Sequence, residues 1–173
     1  MKITIIADVL GEENNGTSIT ATRLIANLKK RGHEVYVVSS GKGDEEGYYA
    51  VGKRDFKIFN EYFKKNGISL AKPNEAVLHA CIEKSDVVHI LMPFSLGKAA
   101  IKLCAELHKP VTTAFHVQPE NVSSHFGLLR SRHINNFLYA YFLNGFYRYA
   151  DYIHCPTQFI ARQLREHGYT QDL

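Results

Sequence analysis

Short apolar runs rich in valine and isoleucine recur along the chain at Ile3 to Ala7, Glu34 to Ser39, Asp86 to Leu91, Pro110 to Phe115 and Tyr152 to Cys155. Each has the length of a strand and little polar alternation, which predicts strands buried on both faces. Helical periodicity fills most of the gaps between them. After a polar loop ending Asn14-Asn15-Gly16-Thr17-Ser18, the residues Ile19, Leu24, Ile25 and Leu28 fall on one broad helical face. Lys29, Lys30 and Arg31 occupy its last turn, where cations suit the helix dipole, and Gly32 ends it. A second helix is predicted from Gly97 through Ile101, Leu103, Cys104 and Leu107 to His108, closed off by Pro110. A third runs from Thr157 through Phe159, Ile160 and Leu164 to Gly168, with Thr157 as its N-cap. One more, carrying Glu75 and Glu83, precedes the Asp86 strand. Strands alternating with helices define an α/β fold, a Rossmann-like three-layer α/β/α sandwich around a mostly parallel sheet.

The pattern weakens between Gly41 and Asn74 into a glycine- and charge-rich loop, a short strand at Tyr48 to Val51 and a Phe/Tyr/Lys segment from Asp55 to Asn66; no structure is assigned to Gly67 to Asn74. His125 to Tyr149 is dense in aromatic residues, and apolar positions take up too much of its circumference for a simple exposed helix. It reads as a helix buried against the sheet. The alternative takes Phe126 to Arg132, with Phe126, Leu129, Arg130 and Arg132 as contacts, for a basic apolar patch at a bilayer interface. Phe56, Phe59, Tyr62 and Phe63 with Lys57, Lys64 and Lys65 form a second such candidate.

With 173 residues, 45% of them hydrophobic, the chain can bury an ordinary core as one domain. A net charge of +4 suits anionic small molecules or a membrane surface and falls short of a nucleic-acid binder, so no nucleic-acid partner is expected. Cys81, Cys104 and Cys155 form no CxxC pair, which argues against a disulfide framework or a zinc site and for a reducing, cytoplasmic setting. The first residues lack the continuous apolar stretch of a signal peptide, and no run of about twenty apolar residues suits a bilayer span.

Candidate chemistry gathers at the ends of the predicted strands. The backbone N–H groups of Gly16, Thr17 and Ser18 open the first helix, where donors have no intrahelical partner and the positive dipole end can meet a phosphate. An ordinary turn glycine beside a helix cap fits the same residues. No GxGxxG follows the first strand, which disfavours NAD or FAD and leaves no cofactor expected. His116 follows an apolar strand and so falls at the carboxyl edge of the sheet, where open α/β folds bind ligands. Its imidazole can hydrogen-bond a sugar hydroxyl or a phosphate, or be a satisfied structural histidine. Gln118 and Glu120 follow in the same loop, Asp8 and Thr157 lie at other strand ends, and Phe94 offers an aromatic platform; these are candidate ligand contacts. His89 reads as packed in the sheet, and the nine histidines show no metal-ligand spacing.

Several passages in order carry a resemblance. The Gly16 loop opening a long helix leads to Leu24-Ile25-Ala26-Asn27-Leu28-Lys29-Lys30-Arg31-Gly32-His33-Glu34-Val35. Then come Ser85-Asp86-Val87-Val88-His89-Ile90, Met92-Pro93-Phe94-Ser95-Leu96-Gly97, Pro110-Val111-Thr112-Thr113-Ala114-Phe115-His116 and Ala150-Asp151-Tyr152-Ile153-His154-Cys155-Pro156-Thr157. Together they resemble the N-terminal domain of a family 4 glycosyltransferase of GT-B fold, the type that includes glycolipid-forming enzymes. The resemblance implies that residues 1–173 are the acceptor-side half of a two-domain enzyme, inactive alone, which puts Asp8, Phe94, Gln118, Glu120 and Thr157 on the acceptor side. The donor-binding C-terminal domain would be a missing partner. It implies a nucleoside-diphosphate sugar as donor and a sugar or lipid acceptor at the inner face of the cell membrane. It also implies no required metal, retention at the anomeric carbon, and His116 as the family's histidine at the end of this strand. The family's carboxylate pair belongs to the other domain; Glu75 and Glu83 share its spacing but lie on a helix in the wrong context. Two readings of other kinds stay open: a non-catalytic, flavodoxin-like module binding a phosphorylated ligand, and a membrane-surface adaptor. The transferase reading requires Gly16 and His116 to face one crevice.

Overall fold

The computed structural model describes residues 1–8, 10, 16–41, 45–55, 69–124 and 127–173. Six strands, β1 (Lys2–Ile6), β2 (Glu34–Ser39), β3 (Tyr48–Ala50), β4 (Val87–Ile90), β5 (Val111–Ala114) and β6 (Tyr152–His154), form one sheet in the order β3-β2-β1-β4-β5-β6. Every pairing is parallel. The chain therefore builds outward from β1 to β2 and β3, then returns to the other side of β1 for β4, β5 and β6. The order reverses between β1 and β4, and in open α/β sheets the carboxyl ends of the strands at such a reversal are where ligands bind.

Two aspartates hold the amino edge of the sheet. Asp86, just before β4, accepts the Lys2 N–H of β1 at 2.7 Å, and its own N–H donates to the Lys2 carbonyl at 2.8 Å. Asp151, just before β6, does the same for Val111 of β5, at 2.8 and 2.9 Å. Each acidic residue thus satisfies a strand-end donor that has no ladder partner and fixes the register of the neighbouring strand. That is the physical work of the Ser85-Asp86 and Ala150-Asp151 dipeptides.

Helices lie on both faces. On one face α1 (Gly16–Lys30) packs Ala21 and Ile25 against Ile3, Ile5, Val35 and Val37. On the other face α2 (Glu75–Ile82) and α3 (Ser95–Glu106) cover Ile6, Val38, Val88 and Ile90. The same core continues through α5 (Arg132–Gly145) and α6 (Gln158–Glu166), with the short α4 (Pro119–Ser124) between α3 and α5 in the chain. Its centre is aromatic: Phe115, Tyr139, Phe146, Tyr147 and Tyr169 are all fully buried.

Helix ends follow local chemistry. The α1 terminus places Gly32 at φ +80°, with Gly32 N–H donating to Lys29 and His33 N–H to Leu28, and the α6 terminus repeats the arrangement at Gly168, φ +82°. This left-handed closure satisfies carbonyls at the helix end and favours glycine, whose missing Cβ removes the steric cost. At the other end of α6 the Thr157 hydroxyl accepts the Ile160 N–H at 3.3 Å, as expected of its N-cap.

Several expectations are corrected. Ile19 and Phe159 are exposed, because the buried stripe of α1 runs through Ser18, Ala21 and Ile25 and that of α6 through Ile160 and Leu164. The helix expected from Gly97 begins at Ser95 and ends at Glu106, and His108 takes a positive φ of 51° in the turn that follows. The aromatic segment is not one buried helix. It comprises a turn at 127–131, α5, and a 3₁₀ turn at Tyr147–Tyr149, and α5 buries only the face of Asn135, Tyr139 and Phe142. Glu75 and Glu83 stand at opposite ends of α2. The segment 56–66 with its aromatic and lysine residues lies outside the described residues.

Replacing Gly168 with alanine is expected to cost about 1 kcal/mol through left-handed strain at that residue. A urea midpoint unchanged from the parent would contradict this account of the α6 terminus.

Candidate functional site

On the face covered by α1, the helix lies over β1 and β2, and a groove of about 890 Å³ opens alongside it over β4 to β6. Ile3, Ile5, Val87 and Leu91 of the sheet with Leu24 and Leu28 of α1 make it apolar. A polar seam crosses it. The ladder pairs His89 with Thr112 and Ala114 with His154, and all four residues line the groove with His116 beyond them at the carboxyl side. His89 Nδ1 lies 2.8 Å from the Thr112 hydroxyl.

Burial sets the charge of this seam. Desolvation pushes the His89 imidazole down to about 4, helped by the neighbouring His116 and His154. His116 is lowered for the same leading reason, with His154 adding to it. At neutral pH the two rings are therefore uncharged hydrogen-bonding groups, able to donate from one nitrogen and accept at the other. Of the residues singled out at the first helix start and after β5, His116 lines the groove and Gly16, Thr17 and Ser18 do not; Thr20, one turn into α1 from Gly16, and Arg165 of α6 line it. Among the described residues no group of three or more His, Cys, Asp or Glu side chains is placed to hold a metal ion.

At the helix start, Gly16 is exposed, Thr17 half-buried and Ser18 buried. Among the described residues a Cβ built on Gly16 meets nothing within 4 Å, so their packing does not call for glycine there. Asp8 is 5% exposed at the end of β1. Its carboxylate accepts the Ala71 N–H at 2.9 Å, and its carbonyl accepts the Ser40 hydroxyl at 2.5 Å, so it ties the sheet edge to the segment entering α2. Phe94 occupies the N-cap position of α3 and packs partly buried against the larger core. Thr157 is spent on its helix cap.

In the loop after β5, Gln118 donates to Gln163 of α6 at 3.4 Å. The Glu120 carboxylate accepts from Tyr139 at 3.1 Å and from Gln163 at 3.4 Å. Leu129, Arg130 and Arg132 are exposed around the turn before α5, and Phe126 lies outside the described residues. The reading from sequence did not single out Thr112, His154 or Arg165. No local signal picks these residues out, because their alignment is set by the ladder, which pairs positions far apart along the chain.

The architecture is that of an open parallel α/β domain with helices on both faces of its sheet. The model for glycosyltransferase family 4 matches residues 14–173, and the chain belongs to that family. The chain is 23% identical over 173 residues to the alpha-monoglucosyldiacylglycerol synthase of Streptococcus pneumoniae, covering 96% of this chain and 38% of that protein. Among solved structures it is similar to S. aureus MnaA in complex with UDP, at TM-score 0.54 and 18% identity, covering 98% of this chain and 41% of that one. An alpha-glucosyltransferase in complex with UDP and DNA matches at TM-score 0.50 and 18% identity, covering 100% of this chain and 41% of that one. At such identities the structural likenesses show the fold. The chain thus spans well under half the length of these relatives. No helix among the described residues is long and apolar enough to cross a membrane.

Burial raises the Asp8 carboxyl from 3.8 to about 6, with the Ala71 N–H partly opposing. A folded-state value above the unfolded one means the folded chain holds the proton more tightly, so this group's contribution to stability is present below about pH 4 and is lost as pH rises through about 6. The loss is on the order of 3 kcal/mol. Asp8→Asn keeps an acceptor for Ala71 without the charge. It is expected to unfold at higher urea than the parent at pH 7 and to match it at pH 4; equal midpoints at both pH values would show that Asp8 carries no such penalty.

Proposed function

We propose that this chain is the acceptor-side domain of a two-domain glycosyltransferase that moves a hexose from a nucleoside-diphosphate sugar to a membrane lipid. The observation that carries the reading is the shared groove: Thr20, one turn beyond the Gly16 helix start, and His116 line the same cavity beside the reversal in strand order. In such an enzyme the barrier falls chiefly through stabilising the departing diphosphate and the oxocarbenium-like sugar. Backbone donors of Gly16, Thr17 and Ser18 at the positive end of α1 suit the first task. Neutral His116 suits the second, as a hydrogen-bond partner of the sugar. That a side chain at Gly16 would meet none of the other described residues supports a ligand as the reason for glycine.

Phe94, Gln118 with Glu120, and Thr157 follow the carboxyl ends of β4, β5 and β6, and Asp8 that of β1, the side proposed for the acceptor. The donor-binding domain lies outside these residues, and retention of anomeric configuration without a required metal comes with the family resemblance. Two observations support a lipid acceptor. The pneumococcal relative is named as a glucosyldiacylglycerol synthase. The turn before α5 exposes Leu128 (42%) and Leu129 (50%) beside Arg130 and Arg132, and α5 exposes the stacked rings of Phe137 and Tyr141. Apolar side chains beside cations suit an anionic bilayer surface.

In the intact enzyme, supplied with nucleoside-diphosphate hexoses and vesicles containing diacylglycerol, His116→Ala is expected to lower kcat about a hundredfold. Gly16→Val is expected to weaken donor binding while changing stability by no more than about 1 kcal/mol. Full turnover by both variants would end this reading of the groove. Replacing Leu128 and Leu129 together with aspartate is expected to weaken sedimentation with anionic vesicles about tenfold, through lost apolar insertion; undiminished binding would place the membrane contact elsewhere.

A further inference from the structure

The segment that carries His116 has little regular structure of its own. Strand pairing ends at Phe115, whose N–H donates to the His154 carbonyl at 2.9 Å, and residues 116–118 are irregular until α4 begins at Pro119. Side chains hold this segment from outside. Gln118 donates to the Gln163 amide oxygen, the Gln163 amide nitrogen donates to one oxygen of Glu120, and the Tyr139 hydroxyl donates to the other. The chain of bonds has one direction, and the Glu120 carboxylate terminates it from both sides. A carboxylate suits that place because it accepts at both oxygens, whereas an amide accepts at one.

Tyr139 is itself immobilised. Its side chain is fully buried, and its ring lies parallel to Phe115, centroids 6.3 Å apart, and stacks on His167 at 3.8 Å. Its carbonyl accepts the Tyr169 hydroxyl at 3.0 Å. Burial and the Glu120 charge push its ionisation far above the ordinary tyrosine range, so the hydroxyl remains a donor. The residue before His116 is thus stacked on the same tyrosine that anchors the residue four positions after it.

We propose that Glu120 is a positioning residue for His116: through Tyr139 and Gln163 it locks the loop after β5 to α5 and α6 and so fixes the imidazole at the groove. The assignment rests on the reading of His116 as a group that meets the reacting sugar. It gives Glu120 a role other than contact with the acceptor. Small displacements of a reacting group can cost up to about a hundredfold in rate, so a loosened loop lowers turnover more than substrate affinity.

Tyr139→Phe removes one hydroxyl and keeps the stacked ring; Gln163→Ala removes the other donor; Glu120→Gln leaves a single acceptor. In the intact enzyme each is expected to lower kcat, by about threefold to tenfold, with acceptor KM changed less than about twofold. The Glu120→Gln/Tyr139→Phe double variant is expected to lose less than the product of the two single effects, because the two residues share one bond. Amide hydrogen exchange at residues 116–118 is expected to accelerate in all three single variants. The proposal is overturned if Glu120→Gln raises acceptor KM while Tyr139→Phe and Gln163→Ala are silent, which would make Glu120 an acceptor contact. It is overturned equally if exchange at 116–118 is unchanged. An enzyme whose His116→Ala variant turns over normally, but whose exchange at 116–118 responds as described, would instead remove the role of His116 and leave the tether standing.

Discussion

Parallel pairing of β1 with β2 on one side and β4 on the other is the constraint on which the rest of the molecule depends. Parallel strands need crossovers, and a central strand flanked on both sides forces those crossovers to diverge at its carboxyl end. The register is set at the opposite edge, where Asp86 and Asp151 take up strand-end N–H groups that no ladder partner reaches. A slip of one residue in either pairing would exchange the two faces of a strand. His89 and Ile90 would then trade places between the polar seam and the larger core.

The two faces of the sheet divide the labour. The face under α2, α3, α5 and α6 is sealed, and its aromatic centre supplies rigidity where the backbone has none: Phe115 stacks on Tyr139 and meets Tyr147 and Tyr169, whose hydroxyls bond to the carbonyls of Ala114 and Tyr139. The other face is covered by α1 on one half and open over β4 to β6, where three histidines share an apolar groove. Immobile packing on one side and an accessible polar line on the other meet at the end of β5, where Phe115 and His116 are adjacent residues pointing their chemistry in different directions.

Electrostatics in this domain follow from burial more than from ion pairs. Desolvation is the leading influence on Asp8, His89 and His116 alike, raising the acid and lowering the bases, so each leans toward its uncharged form. The consequence for Asp8 is structural, a buried bracket between β1 and the approach to α2. For the histidines it is chemical, since neutral rings recognise hydroxyl groups through hydrogen bonds and not through charge.

Much of this architecture is legible along the chain, because strand and helix periods, caps and stops are local properties. Five strand runs, the Gly32 stop and the Thr157 cap could be read from neighbouring residues alone, and the order of motifs pointed to the family that residues 14–173 match. Which side of an aromatic-rich helix is buried was not legible: Phe137 and Tyr139 are equally apolar in sequence, yet one is exposed and the other sealed, since only contact with Phe115 and Tyr169 distinguishes them. The partners of Glu120 were hidden for the same reason, lying 19 and 43 positions away on two other helices. Local sequence determined the elements and their ends. Tertiary structure alone decided that His89, Thr112 and His154 form one line and that Glu120 turns inward, because side chains distant along the chain become neighbours only when the sheet and its helices close around them.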